Sequence, residues 1–192
     1  MKETLAAEKL VLAVAGMPGS GKSLVVTIAR EEGYEIITMG DIVREETKRR
    51  NLELTPENVG KVMLDLREKE GPAAIANRAL PKIIATHHRR ILIDGIRSPD
   101  EVAEFRRHYP KFTLIAVHSS PQTRFERLFK RGRSDDTKNW KDFHERDTRE
   151  LNVGLGNAIA KAETIIVNEG TRQETKQKIK ETLERAERKW TK

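Results

Sequence analysis

The chain has 192 residues, 36% hydrophobic and 35% charged, which is enough for one sizeable α/β domain with a real core. No segment approaches the roughly 20 apolar residues of a membrane span, and the absence of cysteine excludes disulfides and cysteine-based zinc sites. A net charge of +7 suits a polyanionic partner, whether nucleic acid, a membrane surface or a phosphorylated small molecule.

Apolar runs alternate with helical patterns along the chain, which predicts a parallel sheet with crossover helices. Leu10 to Ala15 reads as the first strand. Lys2 before "LVLAVAG" loosely mimics a signal peptide, but the run is short, Glu3 and Glu8 stand where positive charge belongs, and the run feeds a glycine loop. A buried strand in a cytoplasmic protein is the expectation. Lys22 to Glu32 follows as a helix ended by Gly33, then a strand over Tyr34 to Thr38 and a charged helix over Asp41 to Arg50. Thr55 caps the next helix, with Pro56 at its first position, and that helix stops near Gly71. Pro72 starts another, which Pro81 should kink or divide before His88.

The third strand is expected over Ile91 to Asp94. "SPDE" from Ser98 to Glu101 is a capping box for a helix to about His108. Phe112 to His118 is the fourth strand, and Ser120–Pro121 open a helix to Arg131. Gly132 to Thr137 reads as an exposed loop, Lys138 to Leu151 as a helix and Thr164 to Val167 as the fifth strand. "TRQE" from Thr171 is a second capping box, and the last helix carries Ile179, Leu183, Ala186 and Trp190 on one face. With no repeat and no Gly- or Pro-rich linker, residues 1–192 read as a single domain. The helical stretch 41–88 is long for a crossover and is the candidate acceptor-binding region, with 131–150 the candidate lid.

The stretch Gly16-Met17-Pro18-Gly19-Ser20-Gly21-Lys22-Ser23, running on to Leu24, matches G-x-x-x-x-G-K-[ST] at every fixed position between a strand and a helix. Glycines there let successive N–H groups face phosphate oxygens, and the helix adds its positive dipole end. Lys22 is then the ligand of the β- and γ-phosphates of ATP, and the Ser23 hydroxyl a ligand of Mg2+. Asp94, at the carboxyl end of an apolar strand, is a second candidate for Mg2+. Asp41, Arg44 and Arg97 lie at carboxyl ends of strands, where open α/β sheets bind ligands, and the arginines could grip an acceptor phosphate. Arg127, Arg131, Arg133, Arg146 and Arg149 flank a small loop and could close over a transferring phosphoryl group. For each of these the plain alternative is a solvated or salt-bridged helix surface. His87, His88 and His144 read as surface residues, and Trp140 and Trp190 as packing residues.

These motifs together resemble the adenylate kinase-like family of nucleoside monophosphate kinases. "GMPGSGKS" looks like their phosphate loop, "MGDIVREE" is similar to their "TGDLLR", and "LIDGIRS" resembles their "LDGFPR". "ERLFKRGRSDD" followed by "ERDTREL" is similar to the short lid of the uridylate/cytidylate branch. The closest likeness overall is to adenylate-kinase-related proteins found chiefly in archaea. The resemblance implies a P-loop three-layer α/β fold with five parallel strands in the order 2-3-1-4-5. It also implies Lys22, Arg131, Arg133 and Arg146 as catalytic groups, and Asp41, Arg44 and Arg97 as acceptor contacts. The tail "AETIIVNEGTRQE" looks more like the end of dephospho-CoA kinases, which would place Asn168 and Gly170 near the adenine. The expected function is ATP- and Mg2+-dependent phosphoryl transfer to a nucleoside monophosphate or similar small phosphorylated acceptor. A dephospho-CoA kinase is the runner-up. A nucleic-acid-associated ATPase or RNA-binding module is the reading from another class, disfavoured because aromatics are only 5%.

Overall fold

The computed structural model describes residues 8–132 and 139–190. In chain order the elements are β1 (Leu10–Ala15), α1 (Lys22–Glu31), β2 (Glu35–Thr38), α2 (Met39–Arg49), α3 (Pro56–Glu70) and α4 (Ala74–Ala85). They continue with β3 (Arg90–Ile96), α5 (Pro99–His108), β4 (Phe112–His118), α6 (Pro121–Arg131), α7 (Trp140–Val153), α8 (Leu155–Ala160), β5 (Thr164–Val167) and α9 (Arg172–Trp190). The strands form one parallel sheet in the order β2-β3-β1-β4-β5, as the resemblance implies.

β1 lies in the middle of that sheet and is buried at all six positions, which is why it reads as an unbroken apolar run. Its side chains alternate between two cores. Val11, Ala13 and Ala15 pack with α2 to α5 and α8, while Leu10, Leu12 and Val14 pack with α1 and α9. The expected face of α9 is the buried one, through Ile179, Leu183 and Ala186, and Trp190 donates from its indole to Thr113 Oγ1 at 3.1 Å.

Both capping boxes form. Ser98 Oγ accepts from Glu101 N at 3.2 Å, and Thr171 Oγ1 accepts from Glu174 N at 3.2 Å. In the first box Glu101 reaches past Ser98 to the backbone N–H of Arg97, at 2.8 Å.

Several boundaries differ from the sequence expectation. β3 runs on to Ile96 because its pairing with β1 skips Gly95, which sits at φ +95° as a bulge. α2 begins at Met39, directly at the end of β2, and α4 begins at Ala74, since Pro72 lies in a preceding turn. Pro81 lies inside α4 and does not divide it, because Ala79, Leu80 and Ile83 anchor that turn in the core. α8 was not expected, its six residues being too few to show a period. The helical excursion 41–88 is α2, α3 and α4. The loop expected over 132–137 lies largely outside the described residues.

Candidate active site

The loop between β1 and α1 is shaped by two glycines in the left-handed region. Gly19 has φ +81°, and a Cβ there would stand 2.7 Å from the backbone oxygen of Arg124. Gly21, with φ +102°, caps α1 with no side chain, and a Cβ there would run into the Asn168 amide. The first N–H groups of α1 are therefore left for a ligand. Within the loop, Ser20 is fully buried and its hydroxyl has no partner. Lys22 folds back over the loop, donating from Nζ to Gly16 O at 2.5 Å and to Met17 O at 3.3 Å. Burial pulls its pKa down to about 8, against the opposing pull of Asp94 and Glu150 and helped by Arg97 and Arg146.

Those charges come from separate parts of the chain. Asp94 stands near the end of β3, where burial raises its pKa, and its Oδ1 is buried without a partner. The charges of Lys22, Arg97, Asp41 and Arg44 all act on it. Asp41 and Arg44, at the start of α2, pair at 2.5 Å in an exposed position. Arg97 reaches Glu150 Oε1 on α7 at 3.3 Å and Met63 Sδ on α3 at 3.5 Å. Glu150 is largely buried, and its second oxygen has no partner. Behind Arg97, buried Glu101 ties α5 to Arg67 of α3 at 2.7 Å. Of the sequence-predicted residues, the fold thus brings Lys22, Asp41, Arg44, Asp94, Arg97 and Arg146 to the carboxyl edge of the sheet. Arg131 ends α6 and is exposed, and Arg133 lies outside the described residues.

On the other side of α1 a cavity of about 350 Å³ is lined by Ser23, Leu24, Thr27, Arg127, Asn168, Gly170 and Arg172. Asn168 and Gly170 line it, where the likeness to dephospho-CoA kinases would have adenine. Asn168 is also a clamp. Its Nδ2 donates to Ser20 O at 2.8 Å, and its Oδ1 accepts from Thr175 Oγ1 at 2.9 Å. Arg127 donates to Asn168 O at 3.0 Å and to Ser119 Oγ at 2.8 Å.

Sequence reasoning missed three residues here. Glu150 was not singled out, although it follows Arg146 at i, i+4 and so shares its helix face. Arg124 and Asp147 were also missed; they form a buried, two-pronged pair between α6 and α7. The same helices are joined by aromatic packing, with Trp140 stacked on Phe143 at 5.0 Å and edge-on to Phe125 at 4.6 Å. Trp140 remains 40% exposed, so it packs only in part.

The site's oxygens fit a phosphate with its cation. Among the described residues no three His, Asp or Glu side chains converge on a possible metal position. Mg2+ needs only one or two protein oxygens when phosphates and water supply the rest, and Ser23 with the orphaned Asp94 carboxylate would provide them.

Residues 15–144 match the AAA domain family. A UPF0200 protein of Hyperthermus butylicus is 48% identical over 179 residues, covering 93% of this chain and 96% of that protein. Among solved structures, a shikimate kinase from Bacteroides thetaiotaomicron superposes with a TM-score of 0.62 at 18% identity, over 91% of this chain and 98% of that one. A gluconokinase from Sinorhizobium meliloti does so with 0.59 at 18% identity, over 96% and 97%. At that identity the likeness is one of fold.

Proposed function

The chain belongs to the UPF0200 family and carries an AAA-type P-loop domain, and on that premise we propose that it is a small-molecule kinase using ATP and Mg2+. The observation that carries the reading is the gathering around Lys22 of charged groups from β3, the β3–α5 loop and α7. A plain nucleotide-binding site needs Lys22, with Ser23 and an acidic residue such as Asp94 for the cation. Asp41, Arg44, Arg97 and Glu150, whose charges gather with Asp94 beside Lys22, would meet a second substrate's polar groups.

In this reading the α1 N-terminus and Lys22 hold the polyphosphate, and the cavity beside Arg127 and Asn168 takes the base. Mg2+ on Ser23 and Asp94, when bound, supplies charge neutralisation. Arg44 and Arg97 orient the acceptor, and Arg131 and Arg146 stabilise charge developing on the transferring phosphoryl group. No protein nucleophile is required, so positioning does most of the work. The acceptor we favour is a nucleoside monophosphate or similar small phosphorylated molecule, in keeping with the adenylate kinase-like resemblance. The second reading, a dephospho-CoA kinase, has Asn168 and Gly170 on the cavity wall in its favour.

The test is ADP formation from MgATP against AMP, CMP, UMP, GMP, their deoxy forms and dephospho-CoA, with product confirmed by mass. One acceptor should raise turnover far above the Lys22→Ala blank, and Arg131→Ala should remove that rise. Equal turnover in wild type and both variants would overturn the site assignment. Hydrolysis stimulated by RNA, with a steep salt dependence, would move the reading to a nucleic-acid-associated ATPase.

A further inference from the structure

Arg124 is buried, 4% exposed, on α6, a helix to which the kinase reading assigns only Arg127 and Arg131. Its guanidinium satisfies acceptors on three different segments. Nη1 donates to Pro18 O in the phosphate loop at 3.2 Å, and Nε donates to Ser119 O at the end of β4 at 3.2 Å. Nη1 and Nη2 grip the two oxygens of Asp147 on α7, the first at 2.8 Å. The guanidinium also lies over the Phe143 ring, 4.8 Å from its centroid. The backbone of Arg124 is the surface on which Gly19 rests. A planar fork of five donors can join three such segments at once; a lysine ammonium cannot reproduce that geometry.

The position of Asp147 on α7 gives this arrangement its meaning. Phe143 and Asp147 are four residues apart and form the face that α6 holds, while Arg146 and Glu150 are also four apart and form the next face round. That second face acts on Lys22. Whatever fixes the first face therefore fixes the azimuth of the second. A helix with its side chains is about 10–12 Å across, so a roll of about 15° would shift the head groups by about 1.5 Å. Misplacement on that scale costs phosphoryl transfer on the order of 100-fold.

We propose that Arg124 is a positioning residue: through Asp147 it sets the rotation of α7, and with it the placement of Arg146 and Glu150 against the phosphate loop. This rests on the kinase reading for its functional consequence. The test uses the full chain with Asp147→Asn, which spares the bonds from Arg124 to Pro18 and Ser119, and the double variant Arg124→Met/Asp147→Leu. The double variant is needed because an unpaired buried guanidinium is destabilising, whereas removing both charges together is often neutral. Three quantities are read: the melting midpoint, the affinity for methylanthraniloyl-ADP, and the kcat and KM of ATP turnover. The expected result is kcat lower by roughly 100-fold in both variants, with ADP affinity and KM within about threefold of wild type in Asp147→Asn, which keeps the bond to Pro18. The melting midpoint should fall in Asp147→Asn and recover in the double variant.

Wild-type kcat in a folded double variant would overturn the proposal, as would ADP affinity falling in step with kcat in Asp147→Asn. Should wild type show no turnover above the Lys22→Ala blank, the kinase reading falls, and amide exchange decides the strut. Residues 140–153 should then exchange faster in both variants, while in Asp147→Asn residues 16–24 with MgADP stay as in wild type. Unchanged exchange over 140–153 would overturn it.

Discussion

Lys22 makes nucleotide affinity titrate in an accessible pH range. Its burial on the loop, over the carbonyls of Gly16 and Met17, sets its pKa at about 8. The ammonium is then about nine-tenths protonated at pH 7 and about one-tenth protonated at pH 9. A bound polyphosphate favours the charged form, so the pKa rises in the complex and protonation becomes part of binding. MgADP affinity should therefore fall about tenfold from pH 7 to pH 9, and about tenfold more by pH 10. Titration calorimetry from pH 6.5 to 10 reads this directly. Lys22→Arg should bind without the alkaline decline, because its guanidinium keeps its proton throughout. Lys22→Met should bind weakly with no such decline. Glu150→Gln should move the wild-type break to lower pH, since Glu150 supports the charged form. Unfolding through Lys22 does not mimic the effect. The folded pKa lies below that of a free lysine, so the folded chain binds fewer protons between about 8 and 10.5, and stability through this group rises with pH there. A flat wild-type profile to pH 10, or a break only near the ordinary lysine value, would refute the reasoning.

Two other outcomes concern stability. Glu46 is buried on α2 and held by Arg49, Arg50 and Arg78, and those bonds, Arg49 first, pull its pKa down to about 2. Stability from this carboxylate is complete above its ordinary value and is lost as pH falls through about 2, so Glu46→Gln should flatten the acid limb of urea midpoints taken from pH 6 to 2. Asn168→Ala removes the bonds to Ser20 O and from Thr175 Oγ1, while Thr175 keeps Thr171 O and Arg127 keeps the backbone oxygen of residue 168, costing about 1–2 kcal/mol and about 2–8 °C in melting midpoint, with weaker ADP binding. An unchanged midpoint would show that the clamp carries no load.

What the sequence made legible was local. The glycine loop, the Ser98 and Thr171 capping boxes and the apolar alternation of strands and helices are patterns over a few residues; the loop and both boxes formed where expected, and the alternation foretold every element but α8, with shifted ends. Lys22 and Asp94 could be named because their types follow directly from a strand end or a phosphate loop. Arg124, Asp147 and Glu150 could not, because in the chain they are three more charges in a charged segment. Only the packing of α7 on α6 makes one arginine a buried fork and one glutamate a neighbour of Lys22. The starts of α2 and α4 moved as well: α2 follows β2 without a gap, and Pro72 lies in a turn before Ala74. Gly95 shows the converse. A single residue at positive φ extends a strand past the point where its apolar run ends.

The central place of β1 has a consequence for biosynthesis. Val11 pairs with Ile91 on one side and with Phe112 on the other, so β1 leaves the ribosome with neither partner strand made until much of the chain has followed. At about 5–20 residues per second the wait for β3 is roughly 4–16 seconds. Throughout it, "LVLAVA" is an uncharged six-residue segment of the kind that pairs with its own copies. Lys9 stands directly before it, and in the finished protein its ammonium is tucked onto the carbonyls of Thr86 and His88. The same charge that interrupts the apolar run in the unfolded chain is, in the folded one, bonded to the segment that leads into β3.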